Sequence, residues 1–300
     1  MAREGRVKIR LGTRGSRLAL VQSELVAQRL RDAGHEVELV RIVTEGDIRP
    51  IDMPFGEGVF VAAIARSLIA GEVDIAVHSA KDIPLEDFPE LMIAAYPERA
   101  DPRDALITRS GHQSLDTLHG GVTVGTDSPR RTGFVLAARP DLTVVPLHGN
   151  VETRVRRMDA GEVDALVLAA AGLDRLGLGE RIDQRLDPAV VAPAPAQGAL
   201  AVQSRRADVD LLRVLASFDV PSVRLAVETE REVLRATGGT CRAPVGALAV
   251  IASDSFTLLV AGVNSDGTGK RVEHIEGAWH EALELAAAAG RKLVAEVALR

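Results

Sequence analysis

Between Val7 and Leu11 apolar residues alternate with charged ones, and the run predicts a strand. Gly12, Thr13, Arg14, Gly15 and Ser16 make a turn, and helical spacing then runs from Arg17 to about Ala33, where Gly34 closes it. Val37–Thr44 predicts a second strand. Residues 46–58 (GDIRPIDMPFGEG) hold too many glycines and prolines for a regular element and predict a surface loop. A helix from about Phe60 to Ala70 and a strand at Val73–Val77 follow. The order then repeats: a strand at Val122–Gly125, a turn through Thr126 and Arg131, and a helix to about Ala138. Asp127 or Ser128 can cap that helix, and Pro129 suits its first position. A strand at Thr143–Leu147, a helix to about Ala160 and a strand at Val163–Leu168 complete the second round. Each half reads β-α-β-α-β, which predicts α/β layers with mainly parallel sheets.

The two rounds also echo each other in sequence. Residues 70–82 read AGEVDIAVHSAKD and residues 160–172 read AGEVDALVLAAAG. In each, a glycine ends a helix and an apolar run then feeds a loop, so one sheet unit is expected twice. They differ after the strand, where the first has His78, Ser79, Lys81 and Asp82 and the second has alanines and Gly172. Chance similarity in an alanine-rich chain is the alternative.

Prolines and charge interrupt the pattern at residues 96–104 (YPERADPRD) and again at 187–196 (DPAVVAPAPA), both expected to be hinges. Beyond the second the pattern changes. A helix that Ser222 can cap runs to about Ala236, and a glycine-led turn carries Cys241. Strands are expected at Val245–Ile251, Phe256–Val263 and Lys270–Ile275, and a last helix spans about Trp279–Ala298. That is a small α+β unit with an antiparallel sheet.

At 300 residues and 46% hydrophobic content the chain can fill two or three cores. It shows no apolar run of membrane-spanning length, and MAREGRVKIR lacks the apolar stretch of a secretory signal, so the cytoplasm is expected, with no membrane partner. A net charge of −6 and 3% aromatic residues argue against a nucleic-acid partner. A single cysteine excludes an internal disulfide, and the scattered histidines imply no metal.

Arginines stand at two helix starts, Arg14 with Arg17 and Arg130 with Arg131. Backbone N–H groups and the helix dipole favour anions there, and guanidinium groups add bidentate partners for carboxylates or phosphates. If the halves face each other they form a cationic cleft; solvated surface arginines are the plainer reading. Neither GTRGS nor GTDSPRR matches a nucleotide-binding fingerprint. Asp82, after a buried strand, suits a carboxylate with little water around it that steadies a cation or exchanges protons, or else a turn residue. A lone cysteine such as Cys241 is more often an inert buried thiol than a nucleophile.

Together GTRGS (12–16), HSAKDIP (78–84), DPRDA (101–105), GTDSPRR (125–131), GNVETR (149–154), PAQGA (195–199) and GGTCRAPVG (238–246) resemble the porphobilinogen deaminase (hydroxymethylbilane synthase) family, in its order and over nearly the whole chain. The resemblance implies two α/β domains like those of periplasmic binding proteins around a cleft, residues 1–98 with 196–215 and residues 99–195. A small C-terminal α+β domain, residues 216–300, has an antiparallel sheet and bears the cysteine. It implies a monomeric transferase of heme biosynthesis that deaminates porphobilinogen and joins four units head to tail into hydroxymethylbilane. The cofactor would be a dipyrromethane on Cys241, with Asp82 catalytic. Ser79, Lys81, Thr126, Ser128, Arg130 and Arg131 would hold the cofactor, and Arg14, Ser16, Phe60, His148, Arg154, Arg175 and Gln197 the substrate. The loop at 46–58 corresponds to the family's lid. Three departures lower local positive charge: His148 stands where the family usually has arginine, Asp127 replaces a usual serine, and the lid keeps only Arg49; Arg17 restores part of it. The competing reading is a diverged, non-catalytic anion-binding protein of the same two-lobed fold, which would need no Cys241.

Overall fold

The computed structural model describes residues 7–43, 59–86, 88–240 and 242–297. The predicted loop at 46–58 with Arg49, the Phe60 side chain and Cys241 lie outside the described residues. In chain order the elements are β1 (Lys8–Thr13), α1 (Arg17–Asp32), β2 (Glu36–Arg41), α2 (Val59–Ile69), β3 (Ile75–Ser79), β4 (Leu91–Ala95), β5 (Asp104–Thr108), β6 (Thr123–Gly125), α3 (Pro129–Ala138) and β7 (Thr143–Val145). There follow α4 (Val151–Asp159), β8 (Ala165–Ala169), α5 (Ala170–Arg175), β9 (Gln184–Arg185), β10 (Leu200–Arg205), α6 (Val209–Ala216), α7 (Pro221–Ala236), β11 (Val245–Ile251), β12 (Ser255–Gly262), β13 (Arg271–Ala278) and α8 (Ala282–Glu296).

Two five-stranded sheets share one plan, with orders β2-β1-β3-β10-β4 and β7-β6-β8-β5-β9. The echoed strands β3 and β8 take the same central place. Leu11 pairs with Ile75 in one sheet and Val124 with Ala165 in the other, both parallel. The shared Asp of the echo does the same work twice: Asp74 Oδ2 accepts from the Arg10 N–H at 2.8 Å and Asp164 Oδ2 from that of Thr123 at 3.1 Å. Gly71 (φ +72°) and Gly161 (φ +85°) turn each chain out of the preceding helix, a conformation in which a side chain is costly.

The sheets are mixed rather than mainly parallel. In each, two neighbouring pairs are parallel, while β10 runs antiparallel to β3 and β4, and β5 runs antiparallel to β8 and β9. The antiparallel strands β4 and β5 are five-residue runs beside the prolines of 96–104, where length and composition read as hinge. Apolar clusters fill both faces: Leu11, Leu30 and Val202 on one side of the first sheet, Ile64, Leu68 and Leu91 on the other. The third sheet, β11-β12-β13, is antiparallel as expected, and packs α7 and α8 over Val233, Phe256 and Leu293. Its Leu259, with Val263 just past β12, joins Phe134 of α3 in a shared core. Ser222 does not cap α7. The helix begins at Pro221, whose fixed φ and missing N–H suit the first position, and Val220 stands before it.

The chain crosses between the two larger sheets twice, and the crossings touch. The Ala100 N–H donates to Gly198 O at 3.3 Å, and a Cβ on Gly198 (φ +87°) would sit 2.5 Å from Ala100 O. Behind them Glu230 of α7, fully buried, takes both Arg99 guanidinium nitrogens at 2.6 and 2.9 Å and the N–H groups of Ala196 and Ala249. The third unit thereby grips both crossings with one carboxylate.

Candidate functional site: a cationic cleft between the sheets

Between the two sheets lies a cavity of about 420 Å³, a small-molecule size, whose wall includes Arg14, Ser79, Lys81, Asp82, Arg131, Arg154 and Arg175. The two helix starts do face each other. Ser16 caps α1, accepting the Ala19 N–H at 3.3 Å; Ser128 caps α3, accepting the Arg131 N–H at 3.4 Å; and Asn150 caps α4, accepting the Thr153 N–H at 2.9 Å. At the mouth Arg17 of α1 reaches Glu152 of α4 at 2.8 Å, so this arginine offsets a carboxylate across the gap.

Of the arginine pair on α3 only Arg131 reaches the wall. Arg130 turns inward, 4% exposed, to Asp104 Oδ2 at 2.7 Å and to the Ala192 carbonyl. Asp104 also receives Arg131 at 2.7 Å and is fully buried. Burial alone would raise its carboxyl, but the two guanidinium groups prevail and hold it far below the usual carboxylate range. Asp104 was not singled out from the sequence, although it lies in the DPRDA motif. Gln197 is the strut of this arrangement. Its amide donates to Pro102 O at 2.8 Å and Asp104 at 3.0 Å and accepts from Lys81 Nζ at 3.1 Å and Arg131 at 3.4 Å, which fixes the amide's orientation. Gln197 is fully buried behind the cavity.

Lys81 and Asp82 form the single-turn helix that follows β3. Burial, then Arg131, pushes the Lys81 amine down to about 8, against the pull of Asp82 and Asp104. Burial lowers Arg154 and Arg175 to about 10 each, Arg131 adding to the effect at Arg154. Arg154 is aimed by its bond to Gly149 O at 2.8 Å and Arg175 by Gly198 O at 2.7 Å. Beneath the wall His78, bonded to Gln203 at 3.2 Å, is kept neutral by burial, with its pKa near 4. Asp82 departs from expectation: its side chain is exposed within the cavity, not shielded, because the turn lifts it off the end of β3. Ser79 accepts from Gln22 at 2.9 Å.

Thr126 is buried behind the wall. His148 does not line the cavity; its Nδ1 lies 2.9 Å from Asp127 Oδ1, in ion-pair range but not aligned as a hydrogen bond. Sequence reasoning did not single out as site residues Leu18, Asn150, Thr153 or Gly172, which also line it; the first three belong to the capped starts of α1 and α4, and Gly172 to the uncapped α5.

Among the described residues no three His, Cys, Asp or Glu side chains are grouped as a metal site, and no helix is long and apolar enough to cross a membrane. Among solved structures the chain is similar to a methionine-binding protein, at 15% identity and a TM-score of 0.44 over 74% of this chain and 94% of that one, a level that decides nothing about ligand or activity. The sequence comparisons are far closer. Residues 9–213 match the porphobilinogen deaminase dipyromethane cofactor binding domain and residues 224–298 the porphobilinogen deaminase C-terminal domain. The porphobilinogen deaminase of Acidothermus cellulolyticus is 46% identical over 96% of this chain and 88% of its own length. That of Roseiflexus castenholzii is 47% identical over 84% and 85%, and that of Cutibacterium acnes 49% over 80% and 76%. The chain therefore belongs to the porphobilinogen deaminase family.

Proposed function

We propose that this chain is a hydroxymethylbilane synthase whose cleft binds the carboxylates of pyrrole rings through Arg14, Lys81, Arg131, Arg154 and Arg175. The observation that carries the reading is that Arg14, Lys81, Arg131, Arg154 and Arg175 line one cavity. Lys81, Arg154 and Arg175 all sit below their ordinary values because burial leaves their charge poorly compensated. A ligand bearing acetate and propionate groups supplies what they lack, so the donor set fits a dipyrromethane and a growing pyrrole chain. A non-catalytic anion-binding protein is not favoured, since a porphobilinogen deaminase aligns with 96% of the chain.

Held as a thioether on Cys241, the dipyrromethane would supply the free pyrrole carbon at which the chain grows. Arg14 and Arg175, on opposite sides of the cleft, would orient the incoming porphobilinogen by its carboxylates. As its aminomethyl nitrogen leaves as ammonia, Asp82 would accept a hydrogen bond from the pyrrole N–H and offset the positive charge that develops on the ring. The same carboxylate would take up the proton that the attacking ring carbon gives up as the new bond to the methylene carbon forms, and after four additions water would displace the chain from the cofactor as hydroxymethylbilane. Asp104, Arg130 and Gln197 touch no ligand in this account; they hold Arg131 and Lys81 in place. The domain limits that fit are residues 1–98 with 196–215, 99–195 and 216–300, each around one sheet, in a cytoplasmic monomer.

The direct test is to give the purified protein porphobilinogen and follow ammonia and hydroxymethylbilane, with four ammonia expected per tetrapyrrole. Ligand binding without ammonia release would overturn the enzyme reading.

Lys81 adds a pH signature. Its amine, at about 8 in the free cleft, is half neutral near that pH, and a carboxylate beside it favours the charged form. Binding should therefore take up a proton around pH 8–9, and affinity should be fully present below about 8 and fade as pH rises through the raised value. Titration calorimetry in buffers of different ionisation heat should show this uptake in the wild type and not in Lys81→Met.

A further inference from the structure

We infer that Asp127 is a positioning residue that straps the turn at 237–244 to the second lobe. Asp127 lies between β6 and α3, and its side chain is only 15% exposed. Cationic or cationisable groups approach it from two other segments. His148, between β7 and α4, brings Nδ1 to 2.9 Å, and Arg242 brings Nη1 to 3.7 Å of the carboxylate and Nη2 to 3.5 Å of the Asp127 carbonyl. A third charge, Arg154, is held closer to its ordinary value by Asp127. One carboxylate thus joins the start of α3, which carries Arg131 to the cavity wall, to the residue next to Cys241.

Among the described residues, the turn's other hydrogen bonds do not reach the second lobe. Gly239 N–H donates to Thr237 Oγ1 at 3.2 Å, Arg242 N–H to Thr240 Oγ1 at 3.4 Å and Ala243 N–H to Thr240 O at 2.9 Å, all within the turn, while Thr237 N–H donates to Val233 O at 3.1 Å and Val263 N–H to Pro244 O at 3.2 Å, which tie its ends to α7 and to the end of β12. They shape the turn and hold its ends on the third unit, but make no bond to the second lobe. The Asp127–Arg242 contact adds that link, and His148, outside the cavity lining, stands 2.9 Å from the same carboxylate. The same geometry means that an arginine placed at 148 would be held by Asp127 before it met a ligand.

The role in catalysis rests on the function proposed above, so the test has one arm that does not depend on it. Hydrogen exchange of the 237–244 amides is measured in wild type, Asp127→Asn, Arg242→Gln and the double variant. Each single change should speed exchange there about two- to fivefold, as loss of a partly exposed ion pair allows, with the double variant no faster and the melting temperature unchanged. Arg242→Lys should restore part of the protection. Additive effects, or unchanged exchange, would overturn the strap. In the second arm, cofactor-free protein is given porphobilinogen and its mass gain is timed. Slower gain in Asp127→Asn with a normal final mass supports the positioning role, and wild-type speed in that variant overturns it. A wild type that gains no mass while exchange responds as expected would refute the function and leave the strap standing.

Discussion

Cys241→Ser protein is expected to have the mass of its bare sequence and to turn over no porphobilinogen, whereas wild type made in cells that supply the substrate is heavier by one dipyrromethane. The chain holds one cysteine, so no second thiol can take over the attachment. A thiolate is the nucleophile that makes a thioether, and a serine hydroxyl is far less acidic and far weaker in that role. The change removes a single sulfur from a turn whose described bonds are made by its neighbours, so fold and melting temperature should hold. The measurement is intact mass together with ammonia release. A wild-type mass equal to the bare chain would remove the basis for Cys241 as the anchor.

Asp82→Asn should keep that added mass and lose about a hundred- to thousandfold in turnover, since the loss of one preorganised electrostatic contact to a developing charge costs roughly 2.7–4 kcal/mol. The amide preserves size and can still accept a hydrogen bond, but it cannot neutralise a cation or carry a proton. The turn at 80–82 is held from elsewhere: the Ala80 N–H donates to Ala199 O at 3.0 Å, and Arg231 donates to the carbonyls of Ile83 and Pro84 at 2.9 Å each. A structural failure is therefore not expected, and near-normal kcat would mark Asp82 as a turn residue only. Assay of single turnovers against steady state separates the chemical step from product release.

The parallel part of each sheet was legible because its signals are local: period-two or apolar runs, capping serines, and glycines that end helices. The echo at 70–82 and 160–172 correctly marked two copies of one unit, since Asp74 and Asp164 perform one backbone task in both. What was not legible depends on distance. Nothing in LAVQSR announces that β10 lies between β3 and β4, and the five-residue strands beside the prolines give too short a period to outweigh them. At the site, composition pointed to cations at two helix starts but could not say that Arg130 would face a buried Asp104 while Arg131 faces the cleft, because that is decided by a residue 26 positions away. Asp127 and His148 read as two separate departures from the family, and only the fold brings them to 2.9 Å.

The place of β10 bears on how the protein is made. The second sheet draws all its strands from residues 104–185, whereas in the first sheet β3 and β4 do not pair with each other and both wait for residues 200–205. On the ribosome β1 to β4 emerge first, yet their sheet cannot close until the whole of the second sheet has followed them out of the exit tunnel. Assembly thus runs against the order of synthesis: the later-made lobe can finish first, and the earlier one stands with unpaired strand edges until its missing strand arrives.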